Sequence, residues 1–255
     1  MNNLFDQIKI MKSNKHIQAF IFNWRDKFDS TLAIESALYG CTDTVDVINS
    51  SAENLRAYWH NIGEGAYFTD QFLKALDIHD GSSVFFHIQG DTSYTNWAQL
   101  TKDAYHYMQK YNAGIYYPKV KNVEWYDDAI TQVQGVEFID ENLKMIANGD
   151  ETVWFIDPRV INYFKDHNFE EFFACNRFGW GFDIVMCAIS YVLGLPVIRD
   201  SNHTIEHPLQ TNYNKQQAQQ QYNETKRKLP QEIKQYIHHT LDTGERFRFL
   251  NYLNI

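Results

Sequence analysis

The chain has 255 residues, of which 44% are hydrophobic and 16% aromatic, and its formal net charge is −9. That length and composition exclude a disordered or fibrous chain and give enough sequence for one domain with a large buried core. The acidic balance argues against a surface coated in positive charge for nucleic acid.

In chain order, the first 15 or so residues read as a helical lead-in. His16–Trp24 is a run of β-formers without a breaker and predicts a buried strand. Asp26 or Asp29 is placed to cap a helix whose apolar spacing runs through Phe28, Leu32, Ile34, Ala37 and Leu38, ending at Gly40. Thr44–Ser50 is a second strand, so the opening forms a βαβ unit and predicts a mainly parallel sheet. Gly63–Ile78 predicts a turn followed by a helix with Phe68, Phe72, Leu73 and Leu76 on one face. Ser83–Ile88 is a third strand that stops at Gln89-Gly90-Asp91.

An aromatic-rich helix over Asn96–Tyr111 and a strand over Gly114–Val120 follow. Further strands are expected at Val136–Asp140 and Thr152–Asp157, with Asp157-Pro158 closing the latter in a turn. Asn176–Asp183 is a Gly/aromatic loop that opens a long buried helix reaching Gly194, and Leu195–Asp200 is a short strand. The polar run after it, with Pro208, predicts a loop carrying His203 and His207, and the chain is helical from Lys215 onward. No internal repeat and no linker divides the chain.

The longest apolar stretch, Ile184–Ile198, is about 15 residues and contains Ser190, Gly194 and Pro196, short of the about 20 that a membrane span requires. Cys41, Cys175 and Cys187 are widely spaced and form no CxxC pair, which suits a reducing compartment. With no signal-peptide core at the N-terminus, the expectation is a cytoplasmic protein. Charge is uneven. Residues 214–255 carry Lys215, Lys226, Arg227, Lys228, Lys234, Arg246 and Arg248 against Glu224, Glu232, Asp242 and Glu245. That basic tail is either a solvated helical face or a surface for an anionic acceptor.

In an open α/β sheet, ligands bind beyond the carboxyl ends of the strands. Those ends carry Asn23, Trp24 and Arg25, then Asn49 and Ser50, then Gln89, Gly90 and Asp91. No GxGxxG or GxxxxGK[ST] is present, so a dinucleotide fingerprint and a P-loop are unsupported. Asp91 after Gly90 is a turn residue or a ligand for a hard divalent ion that neutralises a diphosphate. Asp183 is a helix cap or, desolvated in an aromatic loop, a general base. The aromatic patches Trp125–Ala129 and Arg177–Phe182 are core or stacking platforms for sugars and bases.

Taken together, Ile48–Ser50, Gly63–Leu76 and Ser83–Asp91 resemble, in order and spacing, the nucleotide-binding half of GT-A glycosyltransferases, especially the family-2-like group. Trp154–Pro158, Gly179–Asp183 and Arg199–Tyr213 resemble that family's acceptor half, so the likeness covers roughly residues 16–213. The family's D-x-D metal motif is Gln89-Gly90-Asp91 here, with one carboxylate.

The resemblance implies an α/β GT-A fold with a mixed, mainly parallel sheet flanked by helices. A single domain is expected, with residues 16–120 holding the nucleotide-sugar, 121–213 the acceptor, and 214–255 forming C-terminal helices. It implies a hexosyl- or pentosyltransferase using a UDP-sugar donor by inverting single displacement. The implied donor residues are Asn23, Arg25, Asn49, Ser50, Asp70, Gln89, Gly90 and Asp91. The implied acceptor residues are Trp125, Trp180 and Gly181, with Asp183 as base. Asp91 and His207, with His203 as the alternative late ligand, would bind Mn2+ or Mg2+. The expected acceptor, favoured by the compact build without a membrane anchor and by the basic C-terminal helix, is hydroxymethylcytosine-modified DNA or its attached sugar, as in similar bacteriophage enzymes; a saccharide of envelope polysaccharide synthesis is the alternative. A non-catalytic nucleotide- or glycan-binding module of the same fold is the alternative class.

Overall fold

The computed structural model describes residues 17–121, 132–137, 142–208, 213–242 and 252–253. The elements in chain order are β1 (Ile17–Asn23), α1 (Phe28–Leu38), β2 (Thr44–Asn49), β3 (His60–Asn61), α2 (Phe68–Ile78), β4 (Val84–Gln89), α3 (Trp97–Tyr111), β5 (Ile115–Lys121), β6 (Gln132–Glu137), β7 (Leu143–Ile146), β8 (Val153–Ile156), α4 (Pro158–Asp166), α5 (Phe169–Phe173), α6 (Phe182–Val192), β9 (Val197–Glu206), α7 (Lys215–Lys228) and α8 (Gln231–Ile237), the last followed by a π-helical turn over His238–Asp242.

The strands form one sheet in the order β3-β2-β1-β4-β8-β5-β9-β7-β6. β1 pairs in parallel with β2 and β4, β2 with β3, and β5 with β9. β8 runs antiparallel to both β4 and β5, and β7 antiparallel to β9 and β6. All strands but β7 and β8 therefore point the same way, and the mixed, mainly parallel α/β sheet expected from the sequence is present.

Alternation along the strands builds two cores, one on each face of the sheet. Phe20 and Phe22 of β1 face a cluster with Phe72 of α2, Phe164 of α4, Phe173 of α5, Phe182 of α6 and Tyr236 of α8. Ile17, Ala19 and Ile21 face the opposite cluster with Ile34 and Leu38 of α1 and Leu100, Ala104 and Met108 of α3. Both faces are covered, as a sheet with apolar side chains on each side requires.

Several local expectations change. The position before α1 is Lys27, with no side-chain cap, and neither Asp26 nor Asp29 fills it. Asp157-Pro158 is not a simple turn: Asp157 caps α4 by accepting from the Arg159 amide at 2.9 Å, and Pro158 begins the helix, where its missing N–H costs nothing. β9 does not stop at Asp200. It continues to Glu206, because a register shift at Pro118/Lys119 of β5 lets the pairing resume from Lys119 with Thr204. His203 thus lies in a strand, where a loop was expected.

The N-terminal lead-in, Trp125, and the Phe138–Asp140 end of the expected strand lie outside the described residues. Among the described residues, no helix is long and apolar enough to cross a membrane. Cys41 and Cys187 are buried free thiols, and Cys175 is a partly exposed one.

Candidate active site

The carboxyl ends of β1, β2 and β4 lie along one edge of the sheet. Because β8 runs against β4, with Ile88 opposite Val153, its beginning arrives at this same edge. The Gln89 amide donates to the Thr152 carbonyl at 2.9 Å. Asp150 and Glu151 are thereby delivered beside Asp91. β9 completes the edge: Ser93 and Glu206 exchange backbone hydrogen bonds of 2.9 and 3.0 Å, which carries His207 to Asp91.

Two adjoining pockets open here. The first is lined by Gln89, Gly90, Asp91, His207, Asp150, Glu151, Gln71 and Lys27, with Trp24, Tyr67, Phe178 and Tyr213 as aromatic walls. The second is lined by Asp183, Trp180, Gly181, Lys215, Gln219 and Tyr222, again with Asp150, Glu151 and Tyr213. Gln89, Gly90, Asp91 and His207 therefore meet in one lobe, and Trp180, Gly181 and Asp183 in the other.

His207 Nε2 lies 3.2 Å from Asp91 Oδ1, an ion-pair contact without hydrogen-bond alignment. Burial alone would lower the His207 pKa, but the Asp91 carboxylate, with Asp150 behind it, outweighs burial and raises it. A carboxylate and an imidazole at this distance are a fitting donor pair for a divalent ion. Mn2+ suits the nitrogen ligand better than Mg2+ does. Among the described residues no group of three or more His, Cys, Asp or Glu is arranged to hold a metal.

His203 is committed elsewhere. Its ring lies 2.7 Å from the Tyr94 hydroxyl and 3.0 Å from Asp103 Oδ2, inside the sheet-helix packing. Of the two histidines, only His207 faces the pocket.

Asp183 sits in the first turn of α6, after Gly181, whose φ of +90° turns the chain into the helix. The N-cap position itself is Gly181; the half-buried Asp183 carboxylate accepts from the first-turn amides of Asp183 and Ile184 and from Asn148 Nδ2 at 3.2 Å. Burial, reinforced by Asp150, pushes its pKa up to about 7 against the opposing hydrogen bonds. A carboxyl of that pKa shares its population between acid and base near neutrality, as a general base needs.

Three expected donor residues stand behind the pocket. Asn23 is fully buried, donating to Asn49 Oδ1 at 2.7 Å and Ser51 Oγ at 3.1 Å and accepting from Thr31 at 2.8 Å. Asn49 donates to the Glu53 carbonyl, and Ser50 to the Asn23 carbonyl. Their polar groups are consumed in tying together the strand ends, so they shape the edge from within. Asp70 closes a capping box on the Tyr67 amide at 2.9 Å. Arg25, at φ +47°, stacks on Trp24 and donates to the Tyr67 hydroxyl at 3.3 Å, bracing the pocket wall.

Asp150 and Glu151 escaped the sequence reading because they precede a strand. A rule that reads carboxyl ends passes over the beginning of an antiparallel strand. The available signal was a pair of adjacent carboxylates directly before the apolar run Val153–Ile156.

No protein-family model and no curated protein sequence matches the chain. Among solved structures it is similar to S. aureus TarS, residues 1–349, in complex with UDP-GlcNAc. That likeness has a TM-score of 0.51 and 12% identity, and covers 92% of this chain and 72% of that one. The protein thus shares the fold of that structure.

Proposed function

We propose that the protein transfers a sugar from a UDP-sugar to an acceptor hydroxyl, with the Asp91–His207 lobe holding the donor and the Asp183 lobe the acceptor. The observation that carries this reading is the split of the cleft. A carboxylate–imidazole pair lines one lobe, a carboxyl with a pKa of about 7 lines the other, and both open on Asp150 and Glu151. The fold shared with TarS, whose structure holds UDP-GlcNAc, supports the choice of donor.

Asp91 and His207 would bind Mn2+ or Mg2+ together with the donor diphosphate. The bound ion would neutralise the charge that builds on the leaving group. Trp24 and Tyr67 offer flat apolar faces for the base, and Lys27 adds a cation at the same lobe. Asp183 takes the proton from the acceptor hydroxyl, whose oxygen then forms the new bond to the anomeric carbon as the bond to the diphosphate breaks. Displacement from the face opposite the diphosphate inverts the anomeric centre.

The acceptor is proposed to be a saccharide hydroxyl, because Trp180, Tyr213 and Tyr222 give its lobe aromatic walls suited to sugar faces. A DNA acceptor has less support. Lys226, Arg227 and Lys228 occupy the last turn of α7, where the helix dipole already favours cations, and Lys228 pairs with Glu224 at 2.9 Å.

The test is UDP release from a panel of UDP-sugars with saccharide acceptors and Mn2+. Asp183→Asn should lower kcat by about 100-fold or more while UDP binding stays unchanged. Full activity in that variant would remove Asp183 as the base.

A further inference from the structure

Asp150, Glu151 and Tyr213 line both lobes of the cleft. On the reading that one lobe holds the diphosphate and the other the acceptor, the sugar in transit lies between them. Residues that reach both sides are the ones positioned to touch it.

Two of the three are already engaged. Asp150 Oδ1 accepts from the Thr152 amide at 2.9 Å and from the Thr152 hydroxyl. The Tyr213 hydroxyl accepts from Trp180 Nε1 at 2.7 Å. Glu151 differs: its Oε2 is sealed from solvent and has no hydrogen-bond partner among the described residues. A buried carboxyl oxygen left unpaired costs about 1–3 kcal/mol, so such an atom in a substrate cleft marks a place for a ligand group.

We propose that Glu151 holds the sugar being transferred by pairing with one of its ring hydroxyls, and so selects which donor sugar is used. This rests on the nucleotide-sugar reading of the cleft. Burial first, then the neighbouring Asp183 and Asp150, raise the Glu151 pKa well above the usual carboxylate range. That environment favours the acid form of the carboxyl, which both donates to and accepts from a hydroxyl. The two neighbouring carboxyls then divide their work: Glu151, reaching both lobes, positions the sugar, while Asp183 takes the proton. A side-chain amide reproduces the neutral acid in shape and in hydrogen bonding; a methyl group does not.

The experiment is calorimetric titration of the full chain at pH 7 in MnCl2 with UDP, UDP-glucose, UDP-galactose, UDP-GlcNAc and UDP-GalNAc. The quantity read is discrimination, the ratio of Kd values between the preferred UDP-sugar and its epimer. Glu151→Ala should reduce this ratio about tenfold, the equivalent of about 1.4 kcal/mol, with the Kd for UDP itself unchanged. Glu151→Gln should keep most of it. An unchanged ratio in Glu151→Ala, or an equal weakening of UDP and every UDP-sugar, overturns the proposal. Should Glu151→Ala fail to fold, Glu151→Asp takes its place: the shortened carboxyl must lose discrimination, and full discrimination overturns the proposal. Wild-type protein that binds UDP without distinguishing the sugars removes the role of Glu151 and leaves the nucleotide site standing. Wild-type protein that binds no UDP removes both.

Discussion

At the residue scale, the cleft turns on how burial and charge are distributed over a few ionisable groups. Asp183, with a pKa of about 7, is the clearest case. In the base role proposed for it the working form is the carboxylate, so kcat should rise with pH through about 7 and level off above it. The same shift has the opposite sign for stability. The unfolded chain releases this proton near pH 4 and the folded one near 7, so folding loses free energy as pH rises between them. Asp183→Asn removes that loss. It should lower transfer by about 100-fold or more while raising stability above pH 7 by on the order of 1 kcal/mol, read from denaturant midpoints at pH 5 and pH 8.

The two histidines provide a paired comparison at the same scale. His207→Ala should weaken Mn2+-dependent UDP binding about tenfold or more with little change in Tm. His203→Ala should instead lower stability by about 1–3 kcal/mol, because Tyr94 and Asp103 lose a buried partner. Equal losses of Mn2+-dependent binding in the two variants would contradict the separation of their roles.

At the scale of elements, the site depends on how closely β4 and β1 approach at Gly90. Its amide donates to the Phe22 carbonyl at 2.9 Å, and a Cβ built at position 90 would lie 2.8 Å from that same oxygen and against the Thr31 hydroxyl. The carbonyl belongs to a central strand and cannot give way. Gly90→Ala should therefore cost about 1–3 kcal/mol and shift Asp91, weakening Mn2+-dependent UDP binding along with stability. Unchanged stability and binding in that variant would show that the strands are not held this closely.

The sequence made β1, β2, β4, α2, α3 and α6 legible, because the strands are unbroken runs of β-formers and the helices carry apolar residues at helical spacing or in one long run. It also led to Asp91, Asp183, Trp180 and His207 at the cleft. It misjudged Asn23, Asn49 and Ser50, since a polar residue at a strand end looks the same whether it meets a ligand or its neighbours. It ended β9 too early, because the partner that extends the strand, β5, lies far away in sequence and the pairing crosses an irregularity at Pro118.

At the scale of the whole molecule, one reversed strand shapes the cleft. Inserting β8 antiparallel between β4 and β5 brings Asp150 and Glu151 to the edge where β4 presents Asp91. That gathers carboxyl groups from the end of β4, from the start of β8 and from α6 along one cleft of two adjoining lobes. Order of elements was enough to suggest such a cleft; strand direction, which no local pattern encodes, decided which carboxylates line it.

The most direct measurement is a thermal melt of the full chain with UDP, with MnCl2, and with both, repeated on Asp91→Ala. Saturation at about 100 times Kd stabilises a folded chain by about 2.7 kcal/mol, which for this size corresponds to a rise in Tm of roughly 5–10 °C. The predicted result is a rise of that size with UDP and Mn2+ together, a much smaller one with either alone, and its loss in Asp91→Ala. No shift in the wild type, or a full shift that survives Asp91→Ala, would contradict a nucleotide diphosphate held by a metal at Asp91.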